Sequence, residues 1–122
     1  MKKLLIIIFT LISFNAFAVD KSTTFNNDLF KQAQLEGKTV VINSWEKTCT
    51  TCQRQIKILD KAQKEFVDIL FLSFEQTVDK DIAKQLNINY WTTIVIYKNN
   101  KEIYRSIGQT EKIKIYEAIK SL

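Results

Sequence analysis

Cys49 and Cys52, separated by Thr50 and Thr51, are the residues of this chain best suited to covalent chemistry. They are its only cysteines, and the chain has no His. Two thiols at this spacing lie one turn apart if the segment is helical, and such a pair can exchange electrons by making and breaking a single disulfide. The loop between them is too small to staple distant parts of a fold. A structural zinc site without His would need Asp or Glu to complete it, and no such cluster accompanies the pair. The cysteines are therefore read as chemically active. A metal–thiolate pair and a structural disulfide in a binding module stand as the alternatives.

What these thiols can do depends on the elements that carry them. Thr39 to Trp45 (TVVINSW) is a short β-rich run. The helix expected from the cysteine motif to Phe66 follows it, with Ile58, Leu59, Ala62 and Phe66 on its buried side and Lys57, Lys61 and Lys64 outside. A helix's first turn has N–H groups without internal partners and a positive dipole end, so a thiolate there is favoured over a thiol. A free thiol near pKa 8.5 can drop by several units in that setting. Cys49, at the exposed start, is the expected nucleophile. Cys52, one turn deeper, is the expected resolving thiol.

The remaining pattern supplies the frame. A helix is expected from Asn27 to Glu36, burying Leu29, Phe30 and Ala33 and stopping at Gly37. Asp68 to Glu75 (DILFLSFE) reads as a strand buried on both faces. Val78 to Leu86 reads as a shorter helix, Thr93 to Tyr97 as a third strand, and Asn99-Asn100 as the tight turn of a hairpin with Glu102 to Ser106. A last helix, Glu111 to Ser121, is expected to bury Ile115, Ala118 and Ile119 with Ile113 and Tyr116 beside them. Strands linked by helical crossovers should be parallel, and the final hairpin should add an antiparallel edge. The expected fold class is α/β, a three-layer α/β/α sandwich around a mixed, mainly four-stranded sheet.

The first residues set the compartment. Met1-Lys2-Lys3 is basic, Leu4 to Phe14 is almost unbroken apolar sequence, and Ala16-Phe17-Ala18 has the small-residue spacing of a cleavage site. This layout predicts a signal peptide over residues 1–18 and a mature domain over 19–122, exported to the periplasm. The apolar run is shorter than the roughly 20 residues that span a bilayer. Removing residues 1–18 takes Lys2 and Lys3 and leaves 16 basic against 13 acidic groups, so the net charge of +5 falls to +3. So small and scattered a surplus, with only Arg54 and Arg105 able to make bidentate phosphate contacts, gives no reason to propose a nucleic-acid partner.

The segment from Asn43-Ser44-Trp45 to Cys49-Thr50-Thr51-Cys52 resembles the signature of the thioredoxin superfamily, a Trp four residues ahead of a CxxC. The likeness extends through Ile94-Val95-Ile96-Tyr97-Lys98-Asn99-Asn100-Lys101 and Gly108, and is greatest to exported bacterial thioredoxin-like proteins. It implies disulfide exchange on protein thiols and disulfides by a redox-active Cys49–Cys52 pair. It further implies no bound cofactor, a monomer, and an upstream membrane electron donor or acceptor. Cys49 and Cys52 match the family's redox pair, and Trp45 matches its Trp. Asn43 stands where the family has a buried Asp, so it cannot take the proton of the resolving thiol as a carboxylate would. The Lys that accompanies that Asp is missing from Ile69-Leu70-Phe71-Leu72. Lys57 replaces a helix-kinking Pro, so a straighter helix is expected.

The largest departure is Thr92, which occupies the family's cis-Pro position just before Thr93; the whole chain lacks Pro. A cis bond costs about 0.5–1 kcal/mol before Pro but about 2.5–4 kcal/mol before other residues. A trans Trp91–Thr92 bond and a displaced loop are therefore expected, with the Thr92 hydroxyl facing the cysteines. Trp91 is read either as a core residue or as an exposed apolar platform beside Cys49. Two other functions fit the same residues: a Cu(I)-handling protein that uses both thiolates, and a thioredoxin-fold binding module without catalysis.

Overall fold

The computed structural model describes residues 24–121. The expected signal peptide lies outside the described residues. Within them the order is α1 (Asn27–Leu35), β1 (Val40–Trp45), α2 (Thr50–Glu65), β2 (Leu70–Glu75), α3 (Lys80–Gln85), β3 (Thr93–Lys98), β4 (Lys101–Ile107) and α4 (Lys112–Lys120). The strands form one sheet in the order β2-β1-β3-β4.

Local chemistry sets the boundaries. Asn26 caps α1, its Oδ1 accepting from the Asp28 and Leu29 N–H groups at 2.8 and 3.1 Å. Gly37, at φ 70°, turns the chain away from the helix end into β1. Asn99 and Asn100 both have positive φ, 50° and 63°. Such a pair gives the two-residue connection whose twist matches the β3–β4 hairpin. Helix α2 runs unbroken for 16 residues through Lys57, as expected without a proline there.

Side-chain alternation divides the core between the two faces of the sheet. On one face Val40, Ile42, Leu72 and Phe74 meet Phe30 and Ala33 of α1 and Ala83 of α3. On the other, Val41, Phe71, Ile94 and Ile96 meet Leu59 and Ala62 of α2 and Ile115, Tyr116 and Ile119 of α4. Strand β1 is central and buried along nearly its whole length. Phe25 also reaches the core, and its N–H donates to the Ser73 carbonyl at 2.7 Å, so the segment before α1 lies along the outer side of β2.

The strand directions depart from the sequence expectation at β3. Strands β1 and β2 are parallel, but β3 is antiparallel to β1, as β4 is to β3. The connection explains the difference. A parallel crossover must return the chain along the length of the strands, whereas the six-residue α3 spans only about 9 Å. The chain instead stays at the carboxyl end of β1. Gln76 N–H donates to the Trp45 carbonyl at 2.8 Å and Thr92 N–H to the Ser44 carbonyl at 3.0 Å. Strand β3 starts there and runs back. Two apolar residues expected on the buried sides of their helices are outside: Leu29 and Ile113 are 42% and 72% exposed. Leu29 and Ile113 lie early in their helices, turned away from the sheet. Val78 lies in the turn before α3 rather than within it.

Candidate active site

Cys49 is the N-cap of α2 and is joined to Cys52 in a disulfide with a Cα–Cα distance of 5.2 Å. The Cys49 sulfur accepts the Cys52 N–H at 3.1 Å, so the thiol-bearing side chain itself satisfies an orphan donor of the first turn. Cys49 is half-buried, whereas Cys52 is fully buried. The approach to the helix is shaped by Glu46. Its buried carboxylate accepts from the Thr48 N–H at 2.8 Å and from the Thr48 hydroxyl, and its carbonyl accepts the Cys49 N–H at 3.1 Å.

Thr92 faces this pair from the loop before β3. The described residues contain no cis peptide bond, so Trp91–Thr92 is trans, and Thr92 has φ 57°. That left-handed setting is a genuine outlier for a β-branched residue, at a cost of about 1–3 kcal/mol, and persists only where the surroundings over-determine it. Here they do. Thr92 N–H donates to the Ser44 carbonyl at 3.0 Å. The Thr92 carbonyl accepts from Gly108 N–H at 2.9 Å and from Gln55 Nε2 at 3.1 Å. The hydroxyl lies 3.1 Å from the Cys52 sulfur and 3.5 Å from that of Cys49. Neither sulfur of a disulfide carries a hydrogen, so the hydroxyl is the donor.

The other sequence-predicted residues divide around this centre. Trp91 is 44% exposed and lines a shallow cleft with Cys49, Tyr90 and Ile107, which places it on the platform side of its two readings. Thr93 is buried, and its hydroxyl donates to the Tyr90 carbonyl at 2.7 Å. The Ser44 hydroxyl donates to the same carbonyl at 2.7 Å, which ties the loop to β1. Asn43 and Trp45 lie on the α2 face of β1 and line a separate cavity of about 230 Å³ with Ile56, Leu59, Phe71 and Ser73. Asn43 is buried opposite Ser73 and Ile94, and its Nδ2 has no hydrogen-bond partner. An uncharged amide there agrees with the apolar Phe71 on the neighbouring strand, since a buried carboxylate without a partner would be far more costly.

Sequence reasoning did not single out Glu46 or Gln55. Both are buried polar residues, at 7% and 0% exposure. Glu46 carried a faint signal, an acceptor two residues before a Thr. Gln55 falls three positions after Cys52, on the face of α2 that must meet the core, where a polar residue asks for an explanation. Among the described residues, no His, Asp, Glu or third Cys forms a group of three ligands with the pair. A Cu(I) ion would rest on two thiolates alone.

A protein-family model described as Thioredoxin matches residues 17–121. The chain belongs to the thioredoxin family. It is 34% identical over 80 residues to the thioredoxin of Mycoplasma genitalium, covering 66% of this chain and 78% of that one. Among solved structures, the Trxlp protein of Edwardsiella tarda superposes with a TM-score of 0.74 at 23% identity, covering 79% of this chain and 95% of that one. The oxidised mitochondrial thioredoxin 3 of Saccharomyces cerevisiae gives 0.72 at 24%, covering 83% and 95%. These likenesses show the thioredoxin fold. With the paired cysteines at disulfide distance, thioredoxin family membership makes the chain a protein-disulfide oxidoreductase.

Proposed function

We propose that this protein is exported to the periplasm, is cleaved after Ala18, and works there as a monomeric protein-disulfide reductant through Cys49 and Cys52. The observation that carries the reading is the unequal placement of the two sulfurs: Cys49 caps the helix and reaches solvent, while Cys52 is enclosed behind it. In the reduced protein the helix start favours the Cys49 thiolate. That thiolate attacks one sulfur of a substrate disulfide, the substrate S–S bond breaks, and the other substrate sulfur leaves as a thiolate. Cys52, as thiolate, then attacks the Cys49 sulfur. The mixed disulfide breaks, the second substrate thiolate departs, and the Cys49–Cys52 disulfide remains. The substrate gains two electrons and the protein loses two, so turnover requires an upstream dithiol donor, which we assign to the membrane.

The exposed Tyr90, Trp91 and Ile107 beside Cys49 support a proteinaceous substrate, since together they offer an apolar surface next to the reacting sulfur. The deciding experiment starts from protein recovered from periplasm. N-terminal sequencing should begin at Val19. Equilibration with glutathione should give a reduction potential nearer roughly −270 mV than roughly −120 mV. A membrane-retained chain that begins at Met1 would overturn export, and a potential at the oxidising end would overturn the reductant role.

A further inference from the structure

Gln55 sits one turn beyond Cys52 on α2 and is fully buried. Its partners fix how its amide points. Both are backbone carbonyls, Thr92 at 3.1 Å and Gln109 at 3.0 Å, so Nε2 faces them and gives a hydrogen to each. Its Oε1 is left buried without a partner. A methionine of similar volume would fill the same space without an orphaned acceptor, so packing alone does not account for a glutamine here. What the amide does is hold the Thr92 carbonyl, together with Gly108 N–H. With Thr92 N–H on Ser44, the peptide groups on both sides of Thr92 are pinned, and its left-handed backbone delivers the hydroxyl to the sulfurs.

We propose that Gln55 is a positioning residue for disulfide exchange, clamping the Thr92 carbonyl so that the Thr92 hydroxyl stays on the Cys52 sulfur and supports the thiolate form of that sulfur. The inference rests on the roles proposed above for Cys49 and Cys52. When an external thiolate attacks the Cys49 sulfur, a new S–S bond forms there, the Cys49–Cys52 bond breaks, and its electron pair passes to the Cys52 sulfur. The Thr92 O–H donates to the resulting anion. In the reverse direction the Cys52 thiol gives its proton to solvent, and the hydroxyl stabilises the thiolate that attacks. No proton leaves Thr92. Hydrogen bonds to an ionised acceptor are stronger than those to a neutral one, so the contact gains strength as charge develops on Cys52. Asn43, with no carboxylate, leaves this duty to the hydroxyl.

The test uses the reduced mature protein and 5,5′-dithiobis(2-nitrobenzoate). Attack by Cys49 releases one thionitrobenzoate, and resolution by Cys52 releases the second. Followed by stopped flow across pH, Thr92→Val and Gln55→Met should each slow the second release about tenfold and move its pH midpoint upward. Thr92→Ser, which keeps the hydroxyl, should recover most of the rate. The double variant Gln55→Met/Thr92→Val should be no slower than Thr92→Val alone, because both changes remove one contact. A folded Gln55→Met that resolves at the wild-type rate overturns the proposal, as do losses that multiply in the double variant. Should Gln55→Met fail to fold, NMR of the oxidised wild type decides. The Gln55 side-chain amide protons must be protected from solvent exchange, and rapid exchange overturns the clamp. Absence of the first release from wild-type protein would instead overturn the roles of Cys49 and Cys52, and this inference with them.

Discussion

At the scale of single residues the site is asymmetric. The Cys49 sulfur takes a backbone N–H and is half-open to water, whereas Cys52 is enclosed and meets the Thr92 hydroxyl. Limited alkylation of the reduced protein at neutral pH should therefore modify Cys49 well before Cys52, as read by peptide mapping. Equal labelling would mean that the helix does not begin at Cys49 in solution. The placement of both thiols was legible in the sequence, because a CxxC between a β-rich run and an amphipathic segment can hardly sit elsewhere than a helix start. The Thr92 hydroxyl was anticipated too, through the resemblance, which sets Thr92 at the family's cis-Pro position. Gln55 was not. Its partners are main-chain carbonyls at residues 92 and 109, and no side-chain pattern announces a bond to a distant backbone group.

At the scale of elements, the loop from residue 87 to residue 92 is fixed without a proline, by hydrogen bonds to β1 and α2. Asn87 and Thr92 take φ 53° and 57°, and Ser44 and Gln55 hold the end of the loop. Thr92→Pro would force φ to about −65° and remove the N–H that reaches Ser44. We expect a loss of at least about 2 kcal/mol, which lowers the melting temperature of a domain of this size by roughly 10 °C. An unchanged or higher melting temperature would show that the loop can rebuild around a proline. The elements themselves were readable from periodicity and turn residues, and each expected helix and strand is present within a few residues of its expected limits. The direction of β3 was not, since it turns on how far the short α3 can carry the chain. Periodicity locates an element without measuring the path that leads to it.

At the scale of the whole molecule, two cores share one sheet, and each includes a tyrosine whose titration is coupled to folding. Tyr97 packs edge-on against Phe30 at 5.1 Å, beside the α1 core. Burial, and after it the negative charge of Glu102, holds its hydroxyl above the ordinary value of 10.0. Tyr116, in the α2–α4 core, is raised in the same direction, first by burial. Above about pH 10 the unfolded chain gives up these protons before the folded one does, so the folded state is progressively disfavoured. The contribution of these two tyrosines should be flat below that pH, and stability should fall as pH rises from 10 toward the higher folded-state values. Lys114, paired with Glu111, is also raised and acts with the same sign, but both groups are exposed and their attraction is screened by salt. Urea unfolding of the disulfide form between pH 8 and 11 at high salt, where no thiol titrates, isolates the tyrosines. Tyr97→Phe keeps the ring against Phe30 and removes the ionisable group, so its stability should decline less steeply with pH than the wild type's. Parallel curves for the two proteins would mean that Tyr97 ionises as easily in the folded chain as in the unfolded one.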